Sequence, residues 1–278
     1  MTDKQVYLPA SGISKEVILT EMQAARSRDV DWRDGRVFSL VFKANDDVTG
    51  LLKDAYGMFF SENGLNPTAF PSLRRFETEV IAMVGNLLGG QGTAAGNMTT
   101  GGTESILMAM LTAREWGRAT KPKIKQPEVV LPSSAHPAFD KAAHYFRLKL
   151  VRVPVGDDLR ADVAAMRRAV NMDTVLVVGS APSYPHGVVD PIADIAALAQ
   201  ERKLLCHVDA CVGGMMLPFV RRLGYPVPDF DFTVPGVTSI SVDLHKYGYA
   251  AKGASVILYR DKTLRRYQLF ATTDWAGG

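Results

Sequence analysis

From about residue 100 onward the sequence alternates helix-period segments with short β-branched apolar runs, and this alternation limits the possible folds more than any other feature. Runs at 128–131, 148–153, 174–178, 204–208, 237–242 and 254–259 have the length and composition of strands. Between them, 103–118, 137–146, 161–170 and 192–202 carry apolar residues at helical spacing. Strands that are continuously apolar are buried on both faces. The pattern therefore predicts an α/β fold, a mostly parallel sheet with helices on both faces. In such sheets ligands bind at the carboxyl ends of the strands, which is where chemistry is to be sought.

The first 70 residues are less regular. The spacing predicts helices over 14–28 and over 47–60, the second with Val48, Leu51, Leu52, Ala55, Tyr56 and Phe59 on one stripe. Asn63-Gly64 and Asn66-Pro67 mark a loop. A helix over 73–88 puts Phe76, Val80, Met83, Val84 and Leu87 together.

A chain of 278 residues can bury a large core, and 47% apolar with 22% charged residues is ordinary for a globular protein. The net charge of +3 and the lack of a Lys/Arg-rich block argue against nucleic-acid binding. Two cysteines, Cys206 and Cys211, suit a reducing compartment better than a disulfide scaffold. The N-terminus shows no signal-peptide pattern, and no apolar run reaches the roughly 18 residues that span a bilayer. The expectation is a cytoplasmic protein with no transmembrane segment.

Five strand ends carry candidate chemistry. Thr99 to Ser105 places Gly101 and Gly102 just before a helix, with Thr103 able to cap it. Free N–H groups and the helix dipole there favour a phosphate, although taken alone the stretch reads first as a capped helix start. His136 follows a strand and could stack on a flat ring, or be an ordinary loop histidine. Ser180 ends the run 174–178 and, alone, reads as a turn. Asp209 ends the run 204–208, where a carboxylate is costly without a partner; a protonated pyridine nitrogen would be one. A salt bridge or a metal is the rival, though Cys206, His207 and Cys211 lack metal-ligand spacing. Lys246 follows a strand inside Ser241-Val-Asp-Leu-His-Lys-Tyr-Gly-Tyr249. Partial burial there is expected to lower its pKa and make the amine nucleophilic, as a Schiff base requires. A phosphate loop, a stacking His, an Asp and a Lys at successive strand ends are the parts needed to hold pyridoxal 5'-phosphate.

Three stretches carry a family resemblance: Asn66 through Pro71 to Glu77, Thr100-Gly-Gly-Thr-Glu-Ser-Ile-Leu-Met108, and Phe230 through Ser241 to His245-Lys-Tyr-Gly-Tyr-Ala-Ala-Lys252-Gly. Over about 30–278 the chain resembles the fold-type-I pyridoxal-phosphate enzymes of the group II decarboxylase family. Within that family it is most similar to the sphingosine-1-phosphate lyases, because the Tyr-Gly-Tyr-Ala-x-Lys-Gly continuation departs from the general decarboxylases. The resemblance implies that Lys246 is the Schiff-base lysine, that Asp209 pairs with the pyridinium nitrogen and that His136 stacks on the ring. It implies Gly102, Thr103 and His245 at the cofactor phosphate and Ser180 near the ring substituents. Asn63, Asn66, Tyr184 and Lys252 would line the substrate pocket, with Lys246, Lys252 and Tyr184 as possible proton carriers. Asn66 stands where the lyases usually have His, and Phe42 where they have Tyr.

The implied activity is cleavage of a phosphorylated sphingoid base to a long-chain aldehyde and phosphoethanolamine, by a homodimer with its active site at the interface. The rivals are an amino-acid α-decarboxylase and a non-catalytic pyridoxal-phosphate-binding subunit. The expected division is 1–70, an N-terminal segment contributing to dimer and active site, and 71–278, the cofactor-binding large domain. Family members continue into a small C-terminal domain, so the chain is expected to be a portion of a longer enzyme.

Overall fold

A computed structural model describes residues 6–274 apart from 34, 36 and 67. The chain divides into two units, Met1–Val41 and Phe42–Gly278, so that 42–70 groups with the segment that follows it. In the first unit, helix α1 (Lys15–Ala25) starts at Ser14, whose side chain accepts a hydrogen bond from the Val17 N–H. The expected helix 14–28 thus ends earlier and finishes in a 3-10 turn over Arg26–Arg28.

The second unit begins with α2 (Asp46–Met58), capped by Asn45, and α3 (Pro71–Leu87), which has Pro at its first position. A seven-stranded sheet follows, in spatial order β1-β7-β6-β5-β4-β2-β3. Its strands are β1 (Ala95–Thr99), β2 (Glu128–Pro132), β3 (Lys149–Val153), β4 (Thr174–Ser180), β5 (Leu205–Asp209), β6 (Ser239–Asp243) and β7 (Ser255–Tyr259). The helices between them are α4 (Gly102–Thr120), α5 (Ala138–Phe146), α6 (Val163–Ala169), α7 (Ile192–Arg202) and α8 (Leu217–Arg222); α9 (Lys262–Arg265) follows β7. β7 alone runs against its neighbours β1 and β6, so the sheet is mostly parallel, as the alternation predicts.

Successive strand residues point to opposite faces. On one face Val130, Val177, Val208, Ile240 and Val256 pack with Val84 of α3, Met166 of α6 and Ile195 of α7. On the other, Val129, Leu131, Leu176 and Val178 pack with Ile106 and Met110 of α4 and Phe139 of α5. Each fully buried aliphatic side chain contributes on the order of 1.5–3 kcal/mol of transfer free energy, which holds both helical layers on the sheet. This two-sided burial explains why the strands read as unbroken apolar runs.

Strand β1 was not legible. Its sequence, Ala-Gly-Asn-Met-Thr, has neither a β-branched run nor alternation. It exists because β7 pairs with it from Ala95↔Tyr259 to Thr99↔Ser255. Helices α8 and α9 were also missed, being too short to show a period.

Candidate functional site

The six strands β1 to β6 all end at one edge of the sheet, and β7 starts there. The pairings Ser180↔Asp209, Asp209↔Ser241, Asp243↔Ser255 and Thr99↔Ser255 set these residues side by side. A hydroxyl chain ties the start of α4 to this edge. Thr99 Oγ1 lies 2.6 Å from Ser105 Oγ, which lies 2.9 Å from Ser255 Oγ, and Ser255 donates to the Val242 carbonyl.

Thr103 does not cap α4. The cap position is Gly101, no side chain caps it, and Thr103 lies within the first turn. Glu104 reaches back instead and accepts from the Thr100 N–H and hydroxyl at 2.6 and 2.7 Å. The leading N–H groups of α4 thus have no side-chain acceptor, the condition for anion binding at a helix start. A Cβ on Gly102 would lie 2.7 Å from Cys211 Sγ and 3.0 Å from both Asp243 carboxylate oxygens, so the backbone approaches this edge as only glycine allows.

Lys246 sits in the connection from β6 to β7. His245 N–H donates to the Ala254 carbonyl, and Ala254 N–H donates to His245 Nδ1. Gly248 is needed because a Cβ there would come within 2.6 Å of the Leu244 carbonyl oxygen. Lys246 Nζ is 2.8 Å from Asp243 Oδ2. The expected lowering of its pKa is not found. Burial disfavours the ammonium, but the Asp243 carboxylate, aided by Cys211 and Asp209, outweighs it and holds Lys246 above the ordinary lysine range. Lys252 is the lowered one, through partial burial and then the charge of Lys246; its Nζ lies 5.3 Å from the centre of the Phe42 ring. His245 is also lowered, by burial first, despite Asp243 Oδ2 at 3.8 Å.

Asp209 is held by its surroundings: Oδ1 accepts from the Cys211 N–H at 3.1 Å and from Ser241 Oγ at 3.3 Å. Ser241 also meets His207 Nε2 at 3.3 Å, and His207 Nδ1 meets Ser239 Oγ at 2.9 Å. If Ser241 donates to Asp209, His207 carries its proton on Nε2. Burial lowers the His207 pKa to about 4, with Asp209 opposing, so this ring is neutral at pH 7. Ser180 is buried, and its N–H donates to Asp190 Oδ2, whose other oxygen accepts from Ala161 N–H.

The other expected residues make local hydrogen bonds or stand exposed. His136 is exposed beyond β2, with Nδ1 accepting from Ala138 N–H. Tyr184 is 61% exposed. Asn63 and Asn66 are exposed, with their side-chain oxygens bound to nearby N–H groups of Leu65, Thr68 and Ala69.

Asp243, His207, Ser239 and Ser241 were given no role from the sequence. Asp243 in Ser-Ile-Ser-Val-Asp is, like Asp209, an acid ending an apolar strand, where a carboxylate is costly without a partner, and that feature marks it in the sequence. Among the described residues, four buried side-chain polar atoms lack a partner. Three of them, Ser134 Oγ, Ser183 Oγ and Asp243 Oδ1, lie at or just beyond the carboxyl ends of strands. Buried polar atoms are seldom left so, and here they suit a polar ligand at this edge.

With this geometry established, comparisons with known proteins are informative. The pyridoxal-dependent decarboxylase conserved domain matches residues 9–271. The sphingosine-1-phosphate lyase of Dictyostelium discoideum is 47% identical over 273 residues, 98% of this chain and 51% of that protein. The Saccharomyces cerevisiae lyase is 40% identical over 98% of this chain and 47% of its own length. The solved sphingosine-1-phosphate lyase of Burkholderia pseudomallei superposes with a TM-score of 0.94 at 42% identity, covering 99% of this chain and 64% of that one. Lactobacillus brevis glutamate decarboxylase gives 0.82 at 22% identity, a likeness of fold. The chain spans about half the length of the curated relatives it matches.

Proposed function

We propose a function built on family membership: the chain belongs to the pyridoxal-dependent decarboxylase family, and we infer that its protein is a carbon–carbon lyase acting on phosphorylated sphingoid bases. The observation that carries the reading is 40–47% identity to such lyases along nearly the whole chain. The amino-acid decarboxylase alternative has no comparable support, since the 22% identity to glutamate decarboxylase speaks for the fold alone.

The residues fit pyridoxal phosphate. Lys246 is the amine that carries it, and the uncapped start of α4, with Gly102, Thr103 and His245, suits its phosphate. Asp209, held by Cys211 N–H and Ser241, is assigned to accept a ring N–H, a role these bonds support. His136 is assigned to the ring face and Ser180 to the ring substituents. Bound there, pyridoxal phosphate supplies the electron sink for breaking the C2–C3 bond of a 2-amino-3-hydroxy substrate. The C3 hydroxyl then gives up its proton, the aldehyde leaves, and C2 is protonated to give phosphoethanolamine. Lys252 is assigned to accept that first proton; partial burial and then the charge of Lys246 lower its pKa from the ordinary lysine value. Tyr184, Asn63 and Asn66 complete the assigned substrate pocket.

This reading includes a homodimer and a cytoplasmic location. Leu51, Tyr56 and Met58 leave apolar surface exposed on α2, which supports a covering second copy. Both cysteines are buried and free, which suits a reducing compartment. The test of function is product analysis with the full-length protein, offering a phosphorylated sphingoid base and, separately, a panel of amino acids. Release of a long-chain aldehyde is expected; carbon dioxide without aldehyde would return the decarboxylase reading.

A further inference from the structure

Asp243 is a buried acid at this edge with one oxygen left unpartnered. It ends β6, is 2% exposed, and has one oxygen on Lys246 Nζ at 2.8 Å while Oδ1 has no hydrogen-bond partner. Its carboxylate lies against Gly102 at the start of α4, and its backbone pairs with Ser255 of β7. A buried carboxylate is tolerated only with a counter-charge, and Lys246 is the nearest cation, with His245 Nε2 farther off at 3.8 Å. The pair is therefore a requirement of the carboxylate as much as of the lysine.

A Schiff-base lysine alternates between two conditions: covalently engaged, or a free amine. Only the neutral amine attacks a carbonyl. We propose that Asp243 is a positioning residue that captures the Lys246 ammonium whenever that side chain is not covalently engaged, an inference that rests on Lys246 being the cofactor lysine. The pair then sets a proton-dependent barrier to cofactor loading, because Nζ must lose a proton and leave Asp243 before it reacts. It also returns the released lysine to one fixed position, three residues along from its carboxylate.

The groups facing Lys246 act in different directions. Asp243, Asp209 and Cys211 favour its charged form, whereas burial opposes it. Lys252 and His245 lie in the same connection and share its field. Among these, only Asp243 both touches Nζ and lacks other support, so its removal is the decisive change.

The test uses full-length protein stripped of cofactor, with trace acetylation of Lys246 by acetic anhydride followed across pH by mass spectrometry. Loading is followed in parallel, through visible absorbance after adding pyridoxal phosphate. Asp243→Asn is expected to move both midpoints to lower pH by about one unit, roughly a tenfold gain in labelling at neutral pH. Unchanged midpoints overturn the proposal. Neither measurement needs lyase turnover, so a failed lyase reading would show separately, as absent aldehyde beside an intact labelling shift. If Asp243→Asn does not fold, Lys246→Met and the double variant decide. A double variant that folds, and is more stable than Lys246→Met alone, supports the pair. One that stays unfolded, or shows purely additive losses, assigns Asp243 a structural role only and overturns the proposal.

Discussion

The Ser241 hydroxyl lies 3.3 Å from Asp209 Oδ1, joining two neighbouring strands at the carboxylate assigned to the cofactor ring. Ser241 is in turn backed by His207, so the acid is steered from behind by neutral groups. Asp209→Ala is expected to lower kcat on the order of a hundredfold or more while pyridoxal phosphate still binds, since a ring-nitrogen partner matters most as charge develops. Steady-state kinetics alongside cofactor titration checks this; near-normal turnover with cofactor bound would remove Asp209 from the mechanism.

Lys246→Ala should abolish both the visible absorbance of lysine-bound cofactor and the borohydride-reducible adduct. The other lysine in reach, Lys252, sits over the Phe42 ring and is exposed. A reducible adduct at the wild-type level in this variant would make the lysine assignment wrong.

Lys252→Ala should impair cleavage of a phosphorylated sphingoid base by about a hundredfold or more, the range of a lost proton carrier, with cofactor retained. Aldehyde release measured beside cofactor absorbance separates this from simple loss of pyridoxal phosphate. Full activity would place Lys252 outside the chemistry.

Gly102→Ala introduces a methyl 2.7 Å from Cys211 Sγ and 3.0 Å from the Asp243 oxygens. Overpacking of this kind costs about 1–3 kcal/mol, and it falls where the cofactor phosphate is assigned. Both a lower melting temperature and faster dissociation of pyridoxal phosphate are expected. A variant with wild-type melting and retention would contradict the close approach.

His207 gives a pH dependence of stability. Its folded pKa is about 4, below the ordinary histidine value of about 6.5, so between these pH values the unfolded chain binds a proton that the native chain refuses. The stability from neutral His207 is present in full above the unfolded value and is lost as pH falls from there towards 4. The span corresponds to at most about 3 kcal/mol. Denaturant titrations from pH 7 to pH 4 on wild type and His207→Gln check it: the variant should lack this component of acid sensitivity.

Much of the architecture was readable because burial on both faces forces continuous apolar strands, as in Thr174–Ser180 and Leu205–Asp209. β1 was not, since its place depends on a partner about 160 residues away in sequence. At the site, Lys246 and Asp209 stood out by type and position, but the direction of the Lys246 pKa did not. That direction depends on Asp243, whose nearness to Nζ is a matter of loop geometry. The His207–Ser241 support was hidden because it needs the register of two strands, His207↔Ser239 and Asp209↔Ser241.

The pairing of β1 with β7 also has a temporal consequence. During synthesis β1 emerges before the other described strands, yet its neighbour in the sheet is the last of them in chain order. Until Ser255–Tyr259 leaves the ribosome, β1 has an unpaired edge and the start of α4 lacks its anchor at Ser255. Such long-range pairing is intrinsically slow to form. This edge is thus completed only once β7 is made, and a nascent chain stalled before residue 255 would have the lysine and its Asp243 carboxylate but no Ser255 to anchor the start of α4.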